Sequence, residues 1–195
     1  MSSRLGEARI PRAWWHMTRQ TWKESSPTGR ATPWPRAISE WARGARGPIV
    51  TILGSAGIGK SHIAVATLRY YLDSVGPWGR VKWWFEGSNR RDGGVFFTAR
   101  ELEAEFQATK FRRPLLDRAL RAPLVVVDDI IWDRSKVDIQ TGAVAALIHN
   151  SDQTGAGLIM TGNITADFMV GDFDGRIASR LSTGIILELE GEDRR

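Results

Sequence analysis

Short apolar runs alternate with stretches of helical periodicity along most of the chain. Ile49–Leu53 is a largely apolar run that reads as a buried strand, and Gly54–Ser61 follows it as a glycine-rich turn. From Ser61 to Asp73 the residues Ile63, Ala66, Leu68 and Tyr71 give a helix one apolar surface. Val95–Thr98 reads as a second strand. Thr98 and Glu101 stand at capping-box spacing, which opens a helix running through Phe106. Phe111-Arg112-Arg113-Pro114 starts another short helix, and Leu124–Val127 is a strand that ends in Asp128-Asp129. Val137–Asn150 is helical, Gly157–Thr161 a strand, 174–181 a short helix and Ile185–Leu189 the last strand. Five core strands alternating with helices predict an α/β protein with a mostly parallel sheet. Outside this frame, 36–45 reads as a short helix stopped by Gly47-Pro48. Residues 1–30 and 74–94 read as irregular, with Val81–Phe85 a candidate extra strand. No internal repeat is visible.

A chain of 195 residues allows one domain plus an appendage. It contains no cysteine, which excludes a disulfide framework, a thiol nucleophile and a cysteine-based zinc site. His16, His62 and His149 are too far apart in sequence to suggest a metal cluster. No signal-type apolar segment opens the chain and no run of membrane-spanning length occurs, so the expectation is a cytoplasmic protein with no membrane contact. The charge is uneven. Residues 1–47 carry nine Lys/Arg against three Asp/Glu, while the remainder, with 18 against 19, is near neutral. Five of the nine tryptophans (Trp14, Trp15, Trp22, Trp34, Trp41) fall in the same segment. The organisation expected is a basic, Trp- and Pro-rich arm over 1–44 and a catalytic domain over 45–195. Interleaved cations and aromatics suit a nucleic acid or a partner protein. Equally, the tryptophans could dock on the chain's own domain.

The strongest chemical signal is Gly54-Ser55-Ala56-Gly57-Ile58-Gly59-Lys60-Ser61, with His62 next. Glycine, four residues, then Gly-Lys-Ser, set between a strand and a helix, is a phosphate-binding loop. Its backbone N–H groups converge on phosphate oxygens, and the helix N-terminus favours the same anion. Lys60 reaches the terminal phosphates and Ser61 places its hydroxyl on Mg²⁺. Asp128, at the end of an apolar strand, is the candidate to reach the Mg²⁺ shell, and Asp129 to orient or deprotonate the attacking water. Asn163 closes the Gly157–Thr161 strand and is placed to hold that water or sense the γ-phosphate. Arg176 and Arg180 lie four apart on one helix face, where either could reach a neighbour's ATP or simply be solvated.

Taken together, GSAGIGKSH, VVVDDI, LIMTGNIT, RIASRL and the terminal GEDRR resemble, over about residues 45–195, the AAA+ ATPases of the helicase-loader group related to DnaC, DnaI and the transposition helper IstB. The passage from Ser179-Arg180-Leu181 through an apolar strand to Gly191-Glu192-Asp193-Arg194 is the more specific part of the match. The resemblance implies a P-loop sheet of order 5-1-4-3-2, ATP and Mg²⁺ as cofactors, and self-association into oligomers or spirals. The partners implied are a replicative helicase and single-stranded DNA. It assigns Lys60 and Ser61 as the Walker A pair, Asp128 as the Mg²⁺ ligand and Asn163 as sensor 1. Arg180 becomes the arginine finger with Arg176 as accessory, and Arg194 the sensor 2 arginine. Lys110, Arg112 and Arg113 fall in the DNA-facing region, or in a solvated turn.

The chain departs from the family pattern in three places. Asp129 stands where the family has glutamate, and its shorter side chain implies slow turnover or an ATP switch that does not hydrolyse. The chain ends just past Arg194, too soon for a full helical lid. The arm is too short to be the separate helicase-binding domain of longer loaders. The reading is an ATPase acting as a helicase loader, with a transposase helper of the IstB type or a non-hydrolysing ATP switch as alternatives. A small P-loop kinase is disfavoured by the Ser-Arg-Leu segment.

Overall fold

A computed structural model describes residues 2–24, 34–44, 47–74, 93–108, 113–130, 137–163 and 175–191. Five parallel strands form one sheet. They are β1 (Ile49–Leu53), β2 (Val95–Thr98), β3 (Leu124–Ile130), β4 (Gly157–Gly162) and β5 (Ile185–Glu188), in the order β2-β3-β4-β1-β5. This is the expected order 5-1-4-3-2 read from the other edge. β1 and β4 are buried along their whole length, as central strands covered on both faces must be.

Alternation along each strand sends residues to two separate cores. Val50, Ile52, Val126 and Ile159 point to one layer, where they meet Ile63, Ala64 and Leu68 of α4 (Lys60–Ser74). Ile49, Leu53, Val125, Val127, Leu158 and Met160 point to the other. That layer holds α5 (Ala99–Ala108), α6 (Pro114–Arg121), α7 (Val137–Thr154) and α8 (Gly175–Thr183). The capping box at α5 forms as its spacing predicts. Thr98 Oγ1 accepts from the Glu101 N–H at 3.2 Å, and Glu101 Oε2 accepts from the Thr98 N–H at 2.8 Å.

The N-terminal segment corrects the irregular reading of residues 1–30. It holds α1 (Ser2–Glu7), a 3₁₀ turn over Arg12–Trp14 and α2 (Arg19–Glu24), followed by α3 (Arg36–Trp41). The α3 helix falls within the expected 36–45, whereas periodicity missed the elements before it because each is six residues or fewer. Their apolar positions make sense only against a surface contributed by distant sequence: Leu5, Ala8, Ile10, Trp22, Ile38 and Trp41 are buried in the α4-side core. Trp14, Trp15 and Trp34 pack against the same core, so the structure docks all five tryptophans of the arm on the chain's own body.

The arm also occupies the exposed edge of the sheet. β2 is an edge strand, and the Phe96 N–H donates to Ala8 O at 2.8 Å. Arg9 clamps this contact, with its guanidinium 2.6 Å from Glu101 Oε1 and 5.0 Å from the Phe97 ring centroid. Arg118 adds a hydrogen bond to Glu7 O. Covering an unpaired strand edge removes a template for aggregation.

Among the expected elements, Val81–Phe85 and the start of the helix at Phe111 lie outside the described residues. Among the described residues, no helix is long and apolar enough to cross a membrane.

Candidate nucleotide site

The site lies where β1, β3 and β4 end. Leu53 leads directly into the glycine loop, and α4 begins at Lys60. Gly54 has φ of 139°, and a Cβ there would lie 2.5 Å from Leu189 O, so only glycine lets the chain turn beneath the end of β5. Gly57 (φ 77°) and Gly59 (φ 101°) carry the rest of the turn. Ser55 and Ala56 are exposed while Ile58 is buried, so the loop is anchored by one apolar side chain and open at its tip.

Lys60 is 7% exposed, and its ammonium donates to Gly54 O at 2.9 Å and Ser55 O at 2.6 Å. The loop thus holds a single positive charge inside its own mouth. Asp128, 2% exposed, closes the other side. Burial pushes its carboxyl above the ordinary range. Hydrogen bonds from Thr161 and Ser61 act against that rise, the Asp129 charge adds to it, and the Lys60 charge opposes it.

β3 does not stop at Val127, as its apolar run suggested, but continues through the two aspartates to Ile130. Its pairing with β4 slips between Val127 and Ile130, and Asp129 takes φ of 59°. The left-handed turn sends Asp128 inward and Asp129 out to solvent. Asn163, exposed just past β4, donates through its Nδ2 to Asp129 Oδ1 at 3.2 Å. Thr161, to which the sequence had assigned no role, donates to Asp128 Oδ1 at 2.6 Å and accepts from the Asp129 N–H at 2.9 Å. Its only signal was a hydroxyl at the buried end of an apolar strand.

Lys60, Ser61, Asp128, Asp129 and Asn163 are therefore brought to one sheet edge. Arg180 is not. It sits on α8, in the opposite layer, and its Nε donates to Asp152 Oδ2 at 3.2 Å. α8 leads into the start of β5, the end of that strand away from the glycine loop. Arg176 belongs to the same helix. Arg113 precedes α6 and is half-buried, whereas Lys110, Arg112 and Arg194 lie outside the described residues.

A cavity of about 590 Å³ opens beside the loop. One wall is Gly57, Gly59, Lys60, Ser61 and His62; the other is Trp14, His16, Met17, Thr21 and Trp22 of the arm. His62 joins the walls: its Nε2 is 3.0 Å from Thr18 O, and its ring meets Trp22 edge-on at 5.7 Å. A carbonyl only accepts, so Nε2 carries the proton. The cavity suits a ligand with an anionic end on the loop and a flat apolar end on the aromatic wall. Among the described residues no group of three His, Asp or Glu side chains could hold a metal alone. Ser61 with Asp128 is instead the sparse oxygen set that suits Mg²⁺ arriving with phosphates.

The glycine loop, the parallel order and the strand-end acids define the fold as that of a P-loop protein of the AAA+ kind. Solved structures bear this out. The DnaC helicase loader superposes with a TM-score of 0.65 at 19% identity, covering 92% of this chain and 100% of that one. DnaI gives 0.63 at 15% identity, covering 95% and 94%. AMPPCP-bound DnaA from Aquifex aeolicus gives 0.56 at 16% identity, covering 82% and 46%, so the chain spans under half the length of that replication initiator. At these identities the likeness is one of fold. No protein-family model and no curated protein matches the chain.

Proposed function

We propose that the chain is a slow, Mg²⁺-dependent ATPase that serves DNA replication as a helicase loader. The observation that carries the nucleotide reading is the convergence of Lys60, Ser61, Asp128, Asp129 and Asn163 on one sheet edge beside a cavity with an aromatic wall. Lys60 and the loop N–H groups bind the phosphates, while Ser61 and Asp128 hold Mg²⁺, which supplies charge neutralisation when bound. Asp129 accepts the proton of the attacking water, and Asn163 orients Asp129. Trp14, half-buried on the cavity wall, receives the base.

Arg180 is proposed to act on a neighbour's ATP. Its place on the layer opposite α4, on a helix that leads into the start of β5, supports a role in trans. A head-to-tail contact of that kind builds a ring or an open spiral. Arg176 is proposed to assist at the same junction, and Arg194 to contact the nucleotide as the sensor 2 arginine. Single-stranded DNA is proposed to meet the Lys110–Arg113 segment together with the cations of the arm left facing solvent, since Arg4, Arg9 and Arg19 already serve internal contacts.

The full chain should capture a purified replicative helicase with MgATP and single-stranded DNA, and release it with ADP. Capture that ignores the nucleotide would contradict the loader reading. Capture of a transposase instead would favour the IstB-type alternative.

A further inference from the structure

We propose that Thr161 is a positioning residue whose one hydroxyl fixes both acidic groups of the site; this role rests on the nucleotide reading. Thr161 is 1% exposed, at the end of β4. Its Oγ1 stands 2.6 Å from Asp128 Oδ1 and 2.9 Å from the Asp129 N. The chemistry leaves one assignment. A backbone N–H can only donate and a carboxylate oxygen can only accept, so the hydroxyl accepts from Asp129 and gives its single proton to Asp128.

The need for this bridge comes from the slip in β3. With φ of 59° and the register broken between Val127 and Ile130, the Asp129 N–H is turned out of the regular ladder. Asp tolerates this left-handed conformation better than most residues, though at a cost that its surroundings must offset. Thr161 supplies the partner. The same hydroxyl stops rotation of the Asp128 carboxylate, which is buried and has few other ways to be held. Asn163, two residues on along the strand direction, then reaches the Asp129 carboxylate. The end of β4 thus sets the direction of the inward acid, the backbone of the outward acid and the side chain of the outward acid. Valine at 161 would keep the shape and remove both hydrogen bonds.

Three measurements on the full chain test the role: amide hydrogen exchange without nucleotide, ATP calorimetry with and without Mg²⁺, and turnover. In the wild type the Asp129 amide should be protected although the residue is exposed. Thr161→Val should lose that protection, and the gain in ATP affinity from Mg²⁺ should drop roughly tenfold while metal-free affinity stays within about twofold. Turnover should fall with the Mg²⁺ gain, and Thr161→Ser should restore all three. A Thr161→Val protein with an undiminished Mg²⁺ gain, or a serine variant without rescue, overturns the proposal. Should the valine variant fail to fold, the wild type and serine variant decide, because an unprotected Asp129 amide in the folded protein also overturns it. A wild type that binds no ATP would overturn the nucleotide reading and this role with it, while exchange reports separately on whether the bridge exists.

Discussion

The Asn163 side-chain amide donates to Asp129 Oδ1 at 3.2 Å, tying the ends of β4 and β3 together at the mouth of the site. Asp129 is thereby oriented by a neutral donor. Asp129→Asn should lower ATP turnover by roughly a hundredfold, within the span of a lost general base, and leave ATP affinity nearly unchanged. Asn163→Ala should lower turnover less, since it removes orientation and not the base. Single-turnover phosphate release beside equilibrium binding separates the two effects. Equal turnover in wild type and Asp129→Asn would remove Asp129 from the chemistry.

The arm is bound as part of the core. Trp22 is 2% exposed against α4. Its replacement by alanine should cost about 3–5 kcal/mol of stability, as for other large buried side chains. Urea unfolding followed by circular dichroism measures it. A change below about 0.5 kcal/mol would mean that the arm is an independent appendage.

The clamp at the sheet edge is sensitive to acid. Burial alone would raise the Glu101 pKa, but hydrogen bonds from the Thr98 N–H, the Thr98 hydroxyl and Arg9, with the Arg9 charge, bring it below its usual value near 4.5. A carboxylate whose pKa is lowered by folding contributes stability above its unfolded pKa, and that contribution is lost as pH falls through the folded one. The stability gap between wild type and Glu101→Gln should therefore be widest near neutral pH and close below about pH 4.5. Urea midpoints at pH 7 and pH 3 check the sign. Thr98→Ala, which removes the other half of the box, should cost about 1 kcal/mol.

Arg180 tests assembly. Arg180→Ala should keep monomer ATP affinity and lose both ATP-dependent oligomers and turnover. Mixed with Lys60→Ala, it should regain part of the activity, because some junctions would pair an intact loop with an intact arginine. Light scattering and phosphate release on the mixture report this. A wild-type protein that stays monomeric with ATP and DNA at high concentration would contradict the head-to-tail arrangement.

Much of this was legible in the sequence for local reasons. The five strands, the glycine loop and the Thr98–Glu101 box each depend on neighbours within a few residues, and all formed where spacing placed them, except that β3 runs on to Ile130. The strand order followed from family resemblance. What stayed hidden depends on distant contacts. α1 and α2 are too short to declare themselves by periodicity, and Trp22 finds His62 only after folding. Thr161 looked like one more residue of a buried strand until the slip in β3 brought the Asp129 N–H to it. The basic charge of the arm suggested a ligand because a sequence cannot show that Arg9 already has Glu101.

Whether the loop beside Asp128 binds nucleotide is tested most directly by calorimetric titration of ATP with Mg²⁺ into the wild type and Lys60→Ala. Removing the ammonium should weaken binding at least tenfold, the scale of a lost charge-assisted contact to phosphate. Equal affinity in the two proteins, or no binding to the wild type, would contradict the assignment of this sheet edge as an ATP site.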